Sequence, residues 1–182
     1  MRGVILYGPP AAGKDTVARE LQRLDERFHT FERLKCGPGR TAGYRMATEQ
    51  EIEQLRASGG IVWENGRYGA VYVVDRPALR ESLDDGFPVV HLGQVEAVRA
   101  VVEAVPGAAW LVVSLWCPRD VAAARVVGRG STDLDARLRA WDETEPLPDA
   151  DLTINTAEVA PEQAAKAISG ALASVARGCP SG

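Results

Sequence analysis

The period of apolar positions changes repeatedly along the chain, and each change marks a new element. Gly3-Val4-Ile5-Leu6-Tyr7 is a continuous apolar run that stops at Gly8-Pro9-Pro10, which predicts a short buried strand. Helical spacing follows from Lys14 to about Arg27, with Val17, Leu21 and Leu24 on one face. Phe28 to Leu34 reads as a weak strand, and the glycine and proline of Cys36 to Gly43 read as a loop. Thr48-Glu49-Gln50-Glu51 matches a capping box, with threonine bonding forward and glutamate bonding back. A helix to about Ala57 is expected. Between Ile61 and Val74, Asn65-Gly66 sits between apolar stretches. Both residues tolerate positive φ, so a hairpin turning there is predicted.

Asp75 then caps a helix with Pro77 in its first turn, closed by Gly86. Pro88 to Leu92 is a second buried strand, Gln94 to Ala104 a helix and Ala109 to Trp116 a third strand. A helix from Pro118 to about Val127 breaks at Gly128-Arg129-Gly130, and another runs from about Asp133 to Asp142. A proline-bearing connector, Glu143 to Ala150, leads to a last strand at Asp151 to Asn155. Pro161 opens a final helix to about Ala176. Strands alternating with helices imply an α/β fold with a parallel sheet flanked by helices. The antiparallel hairpin cannot belong to that sheet, so it is expected in an insertion at about 35–85, between core segments at about 1–34 and 86–182.

With 182 residues the chain is one domain, and 46% hydrophobic with 25% charged residues excludes disorder as its main state. The net charge of −4 argues against a general nucleic-acid binder. Cys36, Cys117 and Cys179 are odd in number and form no CxxC pair, which fits reduced thiols better than disulfides or zinc. The first apolar run is shorter than the roughly 7–15 residues of a signal peptide's core. The longest, Ala108 to Cys117, is about half of the ~20 that a membrane span needs. A cytoplasmic protein without membrane or nucleic-acid partners is expected.

Lysine occurs only at 14, 35 and 166, which draws attention to Gly8-Pro9-Pro10-Ala11-Ala12-Gly13-Lys14-Asp15-Thr16. The spacing is GxxxxGK, between a strand and a helix, as a phosphate-binding P-loop requires. Gly8 and Gly13 let the loop curl so that successive N–H groups point inward, with Pro9, Ala11 and Ala12 among the loop residues that would hold the phosphates. The helix N-terminus adds positive potential, and Lys14 bridges β- and γ-phosphates. Asp15 stands where the strict pattern has Ser or Thr, and Thr16, one further on, offers a hydroxyl for Mg²⁺. Asp15 itself admits two readings: a helix-start carboxylate favoured by the macrodipole, or a holder of a Mg²⁺ water or of the acceptor.

From this point the sequence resembles the guanylate kinase-like branch of the P-loop nucleoside monophosphate kinases. The order of features carries the likeness. The P-loop is followed by an Arg-bearing loop, Trp63-x-Asn65-Gly66-x-Tyr68-Gly69, Gln94 after the second core strand, Gly128-Arg129-Gly130 with a downstream Arg137-Leu138, and a strand ending in Asn155. The resemblance implies ATP and Mg²⁺ as cofactors and a small phosphorylated acceptor as partner. It implies a P-loop kinase core with an inserted acceptor-binding lobe and a lid at about 125–142. Arg129 and Arg137 would close over the triphosphate, with Arg125 a nearby candidate, and planar guanidiniums suit charge spread over equatorial phosphoryl oxygens. Asn155, with Thr153, would border the adenine. Arg40, Tyr44 and Tyr68 would grip the acceptor phosphate, with Gln94 nearby.

The acceptor lobe departs from guanylate kinase. Leu34 to Arg40 replaces a Ser-x-Thr-Thr-Arg pattern, Val62 stands for the guanine-reading Glu, and Leu92 (or His91, if the register slips) for an Asp. Guanine donors left unpaired in a buried site cost ~1–3 kcal/mol each, so selection of GMP is not expected. A second resemblance, to the ribose 1,5-bisphosphate kinases, rests on Lys14-Asp15, Trp63 to Gly69 and Gly86 to Gly93. The reading is therefore an ATP-dependent kinase whose acceptor is a nucleoside monophosphate other than GMP. A sugar phosphate is the alternative, and a guanylate-kinase-like binding module that transfers nothing is the rival outside enzymes. Trp63 either stacks on the acceptor or packs, His91 near a strand end facing the expected cleft is a candidate to touch the acceptor, and Trp110 and Trp116 read as packing.

Overall fold

The computed structural model describes residues 1–67, 69–128 and 134–175. Five parallel strands form the main sheet: β1 (Arg2–Tyr7), β2 (Phe28–Thr30), β7 (Phe87–Leu92), β8 (Ala109–Trp116) and β9 (Leu152–Asn155). Their spatial order is β2-β7-β1-β8-β9, with every pairing parallel. Four strands inserted between β2 and β7 make a second sheet, ordered β4-β3-β6-β5: β3 (Arg33–Cys36), β4 (Tyr44–Met46), β5 (Ile61–Arg67) and β6 (Ala70–Asp75).

Helices cover both faces of the main sheet, and alternation along each strand divides the core accordingly. Val4 and Leu6 of β1 face α1 (Lys14–Leu24) and α7 (Pro161–Val175), packing with Val17, Leu21, Ile168 and Leu172. Ile5 and Tyr7 face α4 (Val95–Ala104) and α3 (Arg76–Asp85), packing with Val98, Val101, Leu79 and Leu83. Two-sided burial is what makes these strands read as continuous apolar runs. Adjacent strands β1 and β7 thus send their following helices, α1 and α4, to opposite faces. The crevice at their carboxyl ends is the switch point where open α/β sheets bind ligands.

Local chemistry explains several boundaries. Thr48 and Glu51 form the expected reciprocal box at the start of α2 (Glu49–Ala57), and Asp75 accepts from the Ala78 N–H to start α3. The first helix stops at Leu24, three residues short of the sequence reading, where Asp25 turns extended and takes the Arg27 side chain and N–H. No helix among the described residues is long and apolar enough to cross a membrane.

Two expectations are corrected. Phe28 to Leu34 is not one strand: β2 lies in the main sheet beside β7, and β3 lies in the second sheet between β4 and β6. Buried Phe31 divides them, with its N–H donated to Val89 O at 3.0 Å. The hairpin exists, but Asn65-Gly66 is not its turn. Asn65 pairs with Tyr72, Gly66 with Val71 and Arg67 with Ala70, so the chain reverses between Arg67 and Ala70, where Gly69 takes φ +72°. β4 also forms inside a stretch without a strand signal.

The second sheet is two-faced. Leu34 and Val73 pack on Ile52 of α2, while Arg33, Lys35, Tyr44 and Tyr72 share the other side. Arg45 fastens the sheet to the core at both chain crossings. Its Nε donates to Glu32 O at 2.8 Å, where the chain enters, and its Nη2 pairs with Asp75, buried at the exit.

Candidate active site

The loop from Gly8 to Gly13 joins β1 to α1 at the switch point. Gly8 has φ +148°, and a Cβ there would lie 2.1 Å from Leu115 O, so the main chain passes too close to β8 for any side chain. Gly13 takes φ +95° as the residue before α1, and no side chain caps that helix start. The helix start, without a side-chain cap, is therefore a ready anion site. Lys14 extends over it, with Nζ donating to Gly8 O at 2.5 Å and Pro9 O at 2.8 Å.

Ala11 holds the left-handed conformation at φ +62° without being glycine. Such a residue costs of order 1–3 kcal/mol and needs support from its surroundings. Arg125 of α5 (Arg119–Gly128) provides it, donating Nη1 to Ala11 O at 3.1 Å and to Thr156 Oγ1 at 2.9 Å, and Nη2 to Thr156 O at 2.7 Å. Thr156 in turn donates its hydroxyl to Ala12 O at 2.9 Å. The Cys117 thiol, 3.8 Å from Ala11 O, is pushed up in pKa mainly by burial. Arg125 thus braces the loop from behind.

In front lies a cleft of about 220 Å³ between the two sheets. Gly8, Lys14, Asp15, His91 and Gln94 line its core side, and Arg33, Tyr44, Asn65, Arg67 and Tyr72 its inserted side. Arg137 of α6 (Leu134–Asp142) closes one end. A second recess of about 320 Å³ adjoins it, sharing Asp15, Arg33, Tyr44 and His91 and adding Arg19 and Arg40. His91 Nδ1 sits 3.3 Å from Asp15 Oδ1, and its Nε2 is buried without a partner among the described residues. Burial pushes the His91 pKa down, opposed by Asp15 and helped by Lys14 and Arg33. The imidazole is therefore favoured neutral.

The structure brings Lys14, Asp15, Tyr44, His91, Gln94 and Arg137 to one cleft, with Arg40 in the adjoining recess. Others lie elsewhere. Thr16 is half-buried in the first turn of α1 and is not among the cleft's lining residues. Trp63 packs on the apolar cluster beneath, its indole N–H buried without a partner among the described residues. Asn155 uses its side-chain oxygen to accept the Ala157 N–H at 3.1 Å. Thr153, two residues before it, lines a third recess that shares Gly8 and Thr144 with the cleft and adds Pro9, Trp116 and Trp141. Arg129 and Tyr68 lie outside the described residues. Sequence reasoning missed Arg33, Asn65, Arg67 and Tyr72. The signal was there in part: polar residues alternating with apolar ones in Arg33-Leu34-Lys35-Cys36 and Val71-Tyr72-Val73.

Among the described residues no three His, Cys, Asp or Glu side chains cluster as a metal cage. A Mg²⁺ ion needs none, since it keeps waters and phosphate oxygens and takes one or two protein ligands. The uncapped helix start, the glycine that a Cβ would block and the adjacent amine fit a polyphosphate.

No protein-family model and no curated protein matches the sequence. Among solved structures, guanylate kinase from Anaplasma phagocytophilum matches with a TM-score of 0.61 at 17% identity, covering 94% of this chain and 84% of that one. The protein APE1195 matches with a TM-score of 0.51 at 18% identity, over 96% of this chain and 94% of that one. At such identities the likeness speaks for the fold, and the fold is guanylate kinase-like, a parallel five-stranded core flanked by helices.

Proposed function

We propose that the protein is an ATP-dependent phosphotransferase acting on a small phosphorylated acceptor. One observation carries the reading: a glycine cradle, an uncapped helix start and the Lys14 amine face the same cleft as a floor of Arg33, Tyr44, Arg67 and Tyr72. A polyphosphate on one wall and an anion on the other would meet there. Mg²⁺-bound ATP would supply the γ-phosphoryl group.

The chain's own residues then position and stabilise. Lys14 leaves the loop carbonyls for phosphate oxygens, with Gly8, Pro9, Ala11, Ala12 and Gly13 shaping the cradle. Thr16 and Asp15 are the hydroxyl and carboxylate that would hold Mg²⁺ or its waters. Arg137, with Arg129, stabilises charge on the transferring group, and an arginine in such a role is worth roughly 10³–10⁵ in rate. His91 holds Asp15 at the junction of the two recesses. Residues 35–85 form the acceptor lobe and 125–142 the lid that excludes water.

The acceptor proposed is a nucleoside monophosphate other than GMP, since Val62 packs in the core and Leu92 carries no carboxylate. A sugar phosphate is the second reading. The placement of Trp63 favours it, because the ring packs on the core cluster and is not among the residues that line the cleft. The test is ADP release by the native protein over a panel of nucleoside monophosphates and sugar phosphates. Turnover with one phosphorylated acceptor, absent in Lys14→Ala, is expected. Native protein that fails to bind ATP refutes the reading and leaves a binding module, and fast turnover of GMP refutes the acceptor argument.

A further inference from the structure

The cleft floor carries a guanidinium to which no motif gives a task. Arg33 stands where the two recesses meet and lines both. Its Cζ lies 5.9 Å from the centroid of the Tyr44 ring and 5.4 Å from that of Tyr72. The strand register creates this bracket: Arg33 pairs directly with Tyr44 on β4, and Tyr72 on β6 pairs with Lys35, two residues along. Among the described residues Arg33 makes no hydrogen bond and no ion pair.

Ring faces attract a cation but take none of its N–H bonds. Arg33 is thus half-buried over the Tyr44–Tyr72 pair, whose ring centroids are 5.4 Å apart, and its five donors meet no acceptor among the described residues. On the same strand face, Lys35 is 1% exposed, and among the described residues its amine donates only to carbonyls, Pro38 O at 2.6 Å and Arg40 O at 2.7 Å. Two positive charges lie two residues apart on one strand without a carboxylate partner among the described residues. Of the carboxylates lining the recess, Asp15 approaches His91, and Glu32 is exposed at the rim.

Arg40 is a weaker anchor by the same criteria. It is exposed on a loop of Gly37, Pro38 and Gly39, and it donates Nε to Ala42 O at 3.0 Å. A strand paired on both sides holds a side chain more closely than such a loop.

We propose that Arg33 is the main anion-binding residue for the acceptor's phosphate, with Lys35 as the positioning residue that pins the Pro38–Arg40 loop beside it. The inference rests on the phosphotransferase reading and sharpens it. Recognition is placed on a strand-borne fork, where the resemblance placed it on Arg40. A phosphate monoester suits the site, since a guanidinium binds two of its oxygens side by side.

The experiment fills the P-loop with Mg²⁺ and a non-hydrolysable ATP analogue, then titrates inorganic phosphate by calorimetry. Native protein is expected to bind both. Arg33→Met should weaken phosphate by roughly ten- to hundredfold, the range for hydrogen bonds to a charged group, while binding the analogue normally. Arg33→Lys, which keeps charge without the fork, should fall between, and it decides the matter if the methionine variant does not fold. Arg40→Ala should lose less than about threefold. Phosphate affinity unchanged in the Arg33 variants, or lost mainly in Arg40→Ala, overturns the proposal, as does native protein that binds the analogue but no phosphate. Failure of the native protein to bind the analogue overturns the phosphotransferase reading instead.

Discussion

The two walls of the cleft solve similar problems by opposite means. On the core side nine consecutive residues, Gly8 to Thr16, do the work mostly with main chain: a tight bend, a helix start and one amine. On the inserted side the groups that face the cleft come from separate strands, with Arg33 on β3, Tyr44 on β4, Arg67 on β5 and Tyr72 on β6. The first wall is fixed by spacing along the chain and tolerates little change in backbone. The second is fixed by strand register and tolerates many changes of side chain. A shared donor site with a variable acceptor is what such a division allows.

The sharpest challenge to this contrast is Lys14→Ala. Transfer should fall by about 10²–10³, with an unchanged unfolding midpoint. A rate within threefold of native would deny the core wall its role. Gly8→Ala should cost about 3 kcal/mol in urea unfolding, because its Cβ would collide with Leu115 O at a φ few residues adopt. A neutral effect would show that the backbone is not the constrained part. Arg125→Met should cost about 2 kcal/mol, leaving Ala11 and Thr156 without their donor, and should weaken nucleotide binding measured by calorimetry.

Smaller effects test the junction and the inserted wall. His91 has a folded pKa below its unfolded value, so the unfolded chain takes up the proton first as pH falls. Stability should be intact above about pH 6.5 and decline below it. His91→Asn should flatten that acid-side slope in unfolding curves, and an unaltered slope would remove His91 from the account. Trp63→Phe should stay within about 1 kcal/mol of native, since it deletes a buried N–H that has no partner among the described residues. A large loss of acceptor affinity in that variant would restore Trp63 as a stacking surface.

Legibility in the sequence follows the same division. The P-loop, the Thr48 box and the Asp75 cap were readable because each is a local pattern whose parts lie within a few residues. The main-sheet strands were readable because burial on both faces leaves an unbroken apolar run. Asn65-Gly66 misled, because Asn-Gly permits a turn without compelling one, and pairing with Val71 and Tyr72 outweighed it. Phe28 to Leu34 misled for another reason: nothing in its composition tells that the chain changes sheets at Phe31. Arg33 and Tyr72 escaped notice because polar residues alternating in a strand normally face water. Only the packing of the second sheet against the core turns that face into the floor of a cleft.

Arg45 has a mechanical consequence. One guanidinium clasps both the main-chain carbonyl at which the chain leaves the core and the carboxylate that starts its return helix, with Phe31 beneath at 5.7 Å. Val62, Trp63 and Val74 seat the second sheet on the core as well, and Arg67 reaches Glu143 at 3.7 Å. Any change in the gap between the walls would therefore have to part that exposed ion pair before it disturbed the buried clasp.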